Sequence, residues 1–399
     1  MSVGAIAVAP SRTVSPKHVG VAGIILAALA WVITIPPVEV RGVVPSIVLA
    51  VIAICAGAWS IAGGERKIGS EAIIVSLFAV AGAAASANSA VSTLESVFTW
   101  SALVAATLRY TTPLLFAALG GVISESSGVI NIGLEGMMLM GCFWGIYGAD
   151  LLGSWVWGLL VAMVAGGLLA LVHAFFSINL RANQIVSGTG INFLALGITG
   201  YFLEYHYGAN GTPLNISMVP NVHLPIQHVG FFGAAVGSAN LMTWIGIALV
   251  PALTFFLFRT RWGLRLRSVG EKPRAADTVG LPVLRIRYVA VVVSGMFAAL
   301  GGAYLSVGFV GSFSNNMTNG RGFIALAAMI FGKWKPWGAL WATLLFGFGN
   351  AMSDRVSSVN PTLGTLFEAL PYVLTLVAVA GLVGRSRPPA ADGIPYVRE

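Results

Sequence analysis

Charge is what this sequence has least of. Only 9% of its 399 residues are Asp, Glu, Lys or Arg, against about 25% in soluble domains. That is too little polar surface to wrap a water-exposed globule of this size. Cysteine is nearly absent as well. Cys55 and Cys142 both lie in apolar runs, which gives no disulfide framework and no metal cluster. No GxxxxGK[ST] phosphate loop, HExxH or GxSxG occurs, so nucleotide binding by that loop and the common hydrolytic sites are excluded. His173 sits alone in an apolar run, and His206, His223 and His228 lack tight ligand spacing. The reading is a chain with no catalytic residues, no metal site and no directly bound cofactor.

What the sequence does have is hydrophobicity, 57% of residues with a mean hydropathy of +0.87. Apolar runs of bilayer-crossing length recur along it. They predict an all-α, polytopic membrane bundle of about 10–12 segments: 19–36, 43–63, 71–90, 101–123, 128–149, 155–178, 184–206, 239–258, 288–310, 321–333, 336–352 and 365–384. The run at 19–36 follows Arg12 and Lys17 as a signal peptide would, but it is long enough to span and reads as a retained helix. The 321–333 run is too short to cross, so a broken or re-entrant element is expected there. Residues 1–96 read as an N-terminal extension of three spans, 97–384 as the functional core and 385–399 as a cytoplasmic tail. The outward interval 207–238, rich in Asn, Gly, Pro and His, is expected to form a cap.

The formal charge of +8 is distributed by topology. Placing both termini in the cytoplasm puts eighteen of the twenty-two Lys/Arg on that side, as the positive-inside rule requires. Eight of them crowd into 259–287, between apolar helices. A nucleic-acid binder gathers its basic residues on one soluble face, so membrane lipids are the expected neighbours and nucleic acid is not. The interval is longer than anchoring requires, and two readings stay open, a topological loop or a docking element.

Three motifs carry polar groups at membrane depth. In SSGVINIGLEGMMLMGCF (126–143), Asn131 and Glu135 are four residues apart and are expected to share a helix face. Gly141 and Gly145 form a GxxxG pair for close helix contact. An intramembrane Glu is by default a functional hypothesis; pairing with a neighbouring helix is the alternative. In RANQIVSGTGINF (181–193), Asn183, Gln184, Ser187, Thr189 and Asn192 serve either substrate contact or inter-helix bonding. In GRGFIALAAMIFGKWKP (320–336), Arg321 heads a half-helix, a recurring transporter device.

Together SGVINIGLEGMMLMG (127–141), ANQIVSG (182–188), VGEKPRAADTVGL (269–281) and GFIALAAMIFGKWKPWGA (322–339) resemble the permease subunits of bacterial ABC importers. The family is the one that includes the ribose and branched-chain amino-acid permeases, and within it the chain resembles the nucleoside-uptake branch. The resemblance covers about 100–384. It implies a cell-membrane transport subunit without an ATPase site of its own, paired with a second permease into a heterodimeric pore. ATP would be used by an ABC ATP-binding subunit, and a lipoprotein would deliver substrate from outside. It also implies that Glu271 through Gly280 form a short helix seated in the ATPase. In that helix Pro273 starts the first turn, Ala275 and Ala276 permit close contact, Gly280 ends it, and Glu271, Lys272 and Asp277 complete the surface. By the same resemblance Asn131, Glu135, Asn183, Gln184 and Asn192 are the expected pathway residues. The competing class is a proton-coupled secondary transporter using Glu135 or Glu204.

Overall fold

The computed structural model describes residues 15–32, 44–88, 100–213, 215–225, 235–358 and 387–397, with isolated positions at 233, 364–365, 368–369 and 373. The expected span over 365–384 falls almost wholly outside the described residues. The chain divides into two compact units, Met1–Trp100 and Ser101–Glu399.

The first unit consists, among the described residues, of α1 (Pro16–Val32), α2 (Val44–Ala62) and α3 (Arg66–Asn88), each packed on the other two. Small residues make that packing close. Ala27, Ala30, Ala50 and Ala53 are buried. A Cβ on Gly57 would meet the Gly69 carbonyl at 2.7 Å, the backbone approach that small residues allow between helices in lipid.

The second unit begins with α4 (Trp100–Glu125), α5 (Leu134–Leu152), α6 (Trp155–Ala174) and α7 (Gln184–Tyr207). It continues through α8 (Leu241–Arg259), α9 (Arg261–Glu271), α10 (Pro273–Thr278) and α11 (Val283–Ala303), and α11 runs on as a π-helical turn over Tyr304–Val310. Then come α12 (Arg321–Phe331) and α13 (Pro336–Ser357). The helix starts are written locally. Side-chain oxygens of Ser154, Asn183, Asn240 and Thr260 each accept a backbone N–H in the first turn of the helix that follows, satisfying donors that have no partner inside the helix.

At the centre α5, α6 and α11 pack backbone to backbone. A Cβ on Gly141 would run into the Ala299 carbonyl, and one on Gly302 into the Met138 carbonyl. Gly166 and Gly295 face each other, each within 2.6 Å of the other's carbonyl for an added Cβ. In the predicted cap, strand β1 (Asn221–His223) pairs antiparallel with β2 (Ser238–Asn240), with Val222 opposite Ala239.

Six helices among the described residues are long and apolar enough to cross a membrane: 44–62, 100–125, 155–179, 184–207, 241–259 and 283–310. With the half-length α12, this is an all-α polytopic bundle containing a broken element. At eleven residues, α12 is about 16 Å long, roughly half of a ~30 Å hydrocarbon core. The helices over 71–90, 288–310 and 336–352 each extend five residues past an expected end, to Arg66, Val283 and Ser357, and the start of α5 differs most. The span expected over 128–149 starts only at Leu134, because residues 126–133 are unwound. Gly128 has φ +85°, a left-handed geometry that ends α4's path and that glycine adopts without strain.

Candidate functional site

The unwound segment Ser126–Gly133 is buried in protein, the condition under which irregular backbone survives at membrane depth. Ser127, Val129 and Asn131 are inaccessible to solvent. Its polar groups are met from several elements. Ser124 Oγ donates to the Val129 carbonyl (2.7 Å), and Ile130 N–H donates to Gln184 Oε1 (2.7 Å). His173 Nε2 lies 3.1 Å from the Ile130 carbonyl while its Nδ1 pairs with Ser187 Oγ at 3.0 Å. Asn131 Nδ2 donates to Ser294 Oγ on α11 at 3.0 Å. Asn131 is therefore not on a helix, and it shares no helix face with Glu135. The spacing of four residues spans the junction between an unwound stretch and the first turn of α5.

Glu135 faces the other way. Its Oε1 accepts from Thr318 Oγ1 (2.6 Å) and Gly320 N–H (2.8 Å), and its Oε2 accepts from Gly322 N–H (2.5 Å). The carboxylate thus caps the N-terminus of half-helix α12, where orphan N–H groups and the helix dipole favour negative charge. Gly322 has no room for a side chain, since a Cβ there would sit 2.5 Å from the Glu135 backbone. At its other end α12 stops in a tight turn with Lys333 at φ +57° and Trp334 at φ +55°, a conformation uncommon for bulky residues. That turn delivers Trp334 Nε1 to Glu125 Oε2 at 2.5 Å. Both ends of the broken helix are therefore held by buried glutamates.

The second polar motif binds α7 to this junction. Asn192 Oδ1 accepts from Gly136 N–H (2.8 Å) and its Nδ2 donates to the Ile132 carbonyl (3.0 Å). Gln184 is buried, and Asn183 is the exposed N-cap, accepting from Ile185 and Val186. The structure thus brings Asn131, Glu135, Gln184 and Asn192 together around the unwound segment, and leaves Asn183 at its edge. The hydrogen bonds these four make are to groups within the chain, and Asn131 Oδ1 and Gln184 Nε2 are buried without a partner. The open polar surface of α7 lies further along the helix, where Tyr201, Glu204 and Tyr205 border a cavity of about 520 Å³ with Gly200 and Asn315. The Tyr201 and Tyr205 rings are stacked at 5.9 Å and both are exposed.

The basic interval resolves into two helices rather than one. Glu271 ends α9, and α10 starts at Pro273, whose missing N–H costs nothing at a helix start. Gly280, at φ +82°, closes the turn after it. Lys272, Arg274, Ala275, Thr278 and Val279 are exposed, whereas Ala276 is not. It is buried against Val269, Val283 and Tyr396, so the expected partner contact through Ala276 is corrected to an internal one. Arg287 is corrected too. It does not flank the loop at lipid headgroups; it is 2% exposed, and its Nη1 donates to the Ile394 carbonyl at 3.0 Å. Behind α10 runs the C-terminal segment, with Ala391 N–H bonded to the Gly270 carbonyl (2.8 Å) and Tyr396 OH donating to Asp277 Oδ2 (2.8 Å). Asp392 lies beside Glu125 and Arg287, and burial pushes its carboxyl up to about 6. Sequence reading missed Glu125, Thr318, Trp334 and this whole segment. The one available signal was the rarity of charge, which marks Glu125 and Asp392 as residues needing a partner.

Residues 103–379 match the family described as branched-chain amino acid transport system / permease component. The chain belongs to this family. Among curated relatives, the guanosine ABC transporter permease protein NupQ of Bacillus subtilis is 42% identical over 318 residues, covering 75% of this chain and 97% of the relative. The nucleoside ABC transporter permease protein NupC of Lactococcus lactis is 36% identical over 311 residues, 74% of this chain and 96% of the relative. A second guanosine ABC transporter permease protein of Bacillus subtilis, NupP, is 24% identical over 256 residues, 61% of this chain and 71% of the relative. No solved structure matches. As an ABC permease the chain is a multi-pass membrane transport subunit. The proton-coupled alternative is not favoured, and Glu135, its main candidate, is used as a helix cap.

Proposed function

We infer that this chain is the permease subunit of an ATP-driven importer that carries nucleosides into the cell. The observation that carries the substrate class is the 42% identity, over 97% of its length, to a guanosine permease. The side of α9 and α10 is taken as cytoplasmic, with both termini inside, a reading supported by the eighteen of twenty-two Lys/Arg that this orientation puts on that side. ATP is hydrolysed by a separate ABC subunit seated on the exposed face of α10, formed by Lys272, Arg274, Ala275 and Thr278. A lipoprotein on the outer side delivers the nucleoside, and a second, different permease completes the pore. The two Bacillus subtilis relatives, one 42% and one 24% identical to this chain, fit a pair of unlike permeases.

The open face of α7, not its bonded polar residues, suits the translocation path. Asn131, Gln184 and Asn192 hold the unwound segment against α7 and α11, and Glu135 holds α12, so they shape the path from behind. Uptake of labelled guanosine into cells carrying the chain with its ATPase, second permease and lipoprotein tests the reading. Uptake is expected to stop when the ATPase is inactivated and to persist when the proton gradient is collapsed. The opposite pattern would overturn it.

A further inference from the structure

We propose that the C-terminal segment, residues 390–396, is a positioning strap for transport, holding docking helix α10 in fixed register against the buried Ser126–Asn131 segment. The proposal rests on the reading of α10 as the ATPase-docking helix. Six residues are too few for a helix to sustain itself in water, and the register of α10 must come from what lies behind it. What lies behind it is the strap. Tyr396, 8% exposed, fills the apolar space between Ala276 on α10, Val269 on α9 and Val283 on α11, and its hydroxyl reaches Asp277. At the other end Ala391 N–H bonds to the Gly270 carbonyl, and Ala390 N–H reaches Glu271 Oε2 at 3.3 Å.

The strap's other side touches the membrane core. Gly393, at φ +74°, passes so close to Ile130 that an added Cβ would meet its Cδ1 at 2.7 Å. Gly128 is equally confined, with the Ala391 carbonyl 3.0 Å and Arg287 Nη2 2.9 Å from an added Cβ. Arg287, on α11, bonds the Ile394 carbonyl. Gly270 itself lies on the Ser126 carbonyl. Ile130, in turn, is bonded to Gln184 on α7 and His173 on α6. A push on α10 therefore has a short, packed route to the helix that carries the open polar face, and the strap lies along it. Anchoring the protein in the membrane needs none of this.

The test uses the assembled importer in proteoliposomes, with guanosine uptake and ATP hydrolysis measured separately. The variants are Tyr396→Phe, which removes only the hydroxyl, Tyr396→Ala, and a chain ending at Pro388. Tyr396→Ala and the shortened chain are expected to keep hydrolysing ATP near the wild-type rate while guanosine moved per ATP falls about fivefold, with a smaller drop for Tyr396→Phe. An unchanged ratio in Tyr396→Phe and Tyr396→Ala would overturn the proposal. So would a parallel loss of both activities, which is what a merely structural strap predicts; should Tyr396→Ala fail to fold, Tyr396→Phe decides. A readout independent of transport is amide exchange over residues 273–280, which should speed up about tenfold in the shortened chain. Unchanged exchange there overturns the strap even if the substrate is not a nucleoside. An ATPase that fails to bind the wild-type chain overturns the docking reading instead.

Discussion

The two units of this chain solve the same problem with different chemistry. In the first, the buried polar residues among those described are Ser46, Ser60 and Ser76, and no ionisable side chain is buried. Ser76 Oγ donates back to the Ala72 carbonyl of its own helix at 2.6 Å, Ser46 Oγ donates across to the Ala30 carbonyl of α1, Ser60 Oγ makes no hydrogen bond, and the helices meet through alanine and glycine. The second unit buries Glu125, Glu135, His173 and Arg287. A buried ionisable or polar group is expensive unless bonded, and each of these holds a piece of backbone that is not a regular span. Glu135 and Glu125 hold the ends of α12, His173 holds the unwound segment, and Arg287 holds the strap. Regular helices in lipid need only small residues to associate. Irregular backbone needs charged and polar partners, and among the described residues those partners lie in the second unit.

The sharpest way to break this contrast is at Glu135. Replacing it with Leu leaves Thr318, Gly320 and Gly322 with buried, unpartnered donors, each costing about 1–3 kcal/mol. Glu135→Leu should abolish the folded peak in size-exclusion of the detergent-solubilised protein, and Glu135→Gln, which keeps an acceptor, should retain part of it. A Glu135→Leu protein that folds and transports normally would show that α12 does not depend on its cap. Next in size are the glycine contacts. Gly302→Ala drives a methyl into the Met138 carbonyl and should cost about 3 kcal/mol, the upper end for overpacking. Gly23→Ala in the first unit meets the Ala53 carbonyl at 3.2 Å and should stay within about 1 kcal/mol. Thermal unfolding followed by fluorescence separates the two.

Much of this architecture is legible in the sequence, because in lipid the length of an apolar run and the side its flanking charges take are direct physical constraints. The half-helix is legible from the shortness of 321–333, and α10 from Pro273 and Gly280. The unwound segment is not. Glycines 128 and 133 look the same whether they thin a helix or end one, and only Gly128's positive φ decides. The facing of Ala276 is hidden for a different reason. It depends on Tyr396, which lies 119 residues from its partner Asp277, so no local period encodes it. A separation of 107 residues from Ile394 conceals Arg287's role in the same way, since an arginine two residues from Arg285 reads as part of a basic flank until its partner is known.

The docking element gives the next two predictions. Ala275 is exposed on α10 while Arg265 lies over the Trp262 ring at 5.0 Å. Ala275→Trp should weaken co-purification of the ATPase about tenfold or more, and Arg265→Gln should change it little; equal losses would mean the basic flank, not the helix, makes the contact. The strap adds a pH dependence. Asp392 titrates near 6 when buried beside Glu125 and Arg287, with Glu271 close by on the Ala390 N–H, and at about 3.9 when released. Its folded pKa is raised, so attachment is fully favoured below about 4 and is weakened as pH rises through 6. Protection of residues 390–396 from exchange, corrected for the intrinsic pH dependence, should therefore be greater at pH 5 than at pH 7.5. In Asp392→Asn it should be the same at both.

The smallest effect on transport is expected from the largest deletion. The family match begins at residue 103, and the two most similar relatives named here are matched over 97% and 96% of their own lengths. The helices of the first unit bury their alanines and glycines on one another, as an independently packed bundle does. Removing residues 1–99 should leave guanosine uptake within about twofold of the full chain, since among the described residues every buried ionisable side chain named above lies in what remains. The control is the detergent-extracted shortened chain, which should keep the thermal transition of the second unit. If that transition survives and uptake is lost, the first unit carries a function that small-residue packing alone does not reveal, and the contrast between the two units falls.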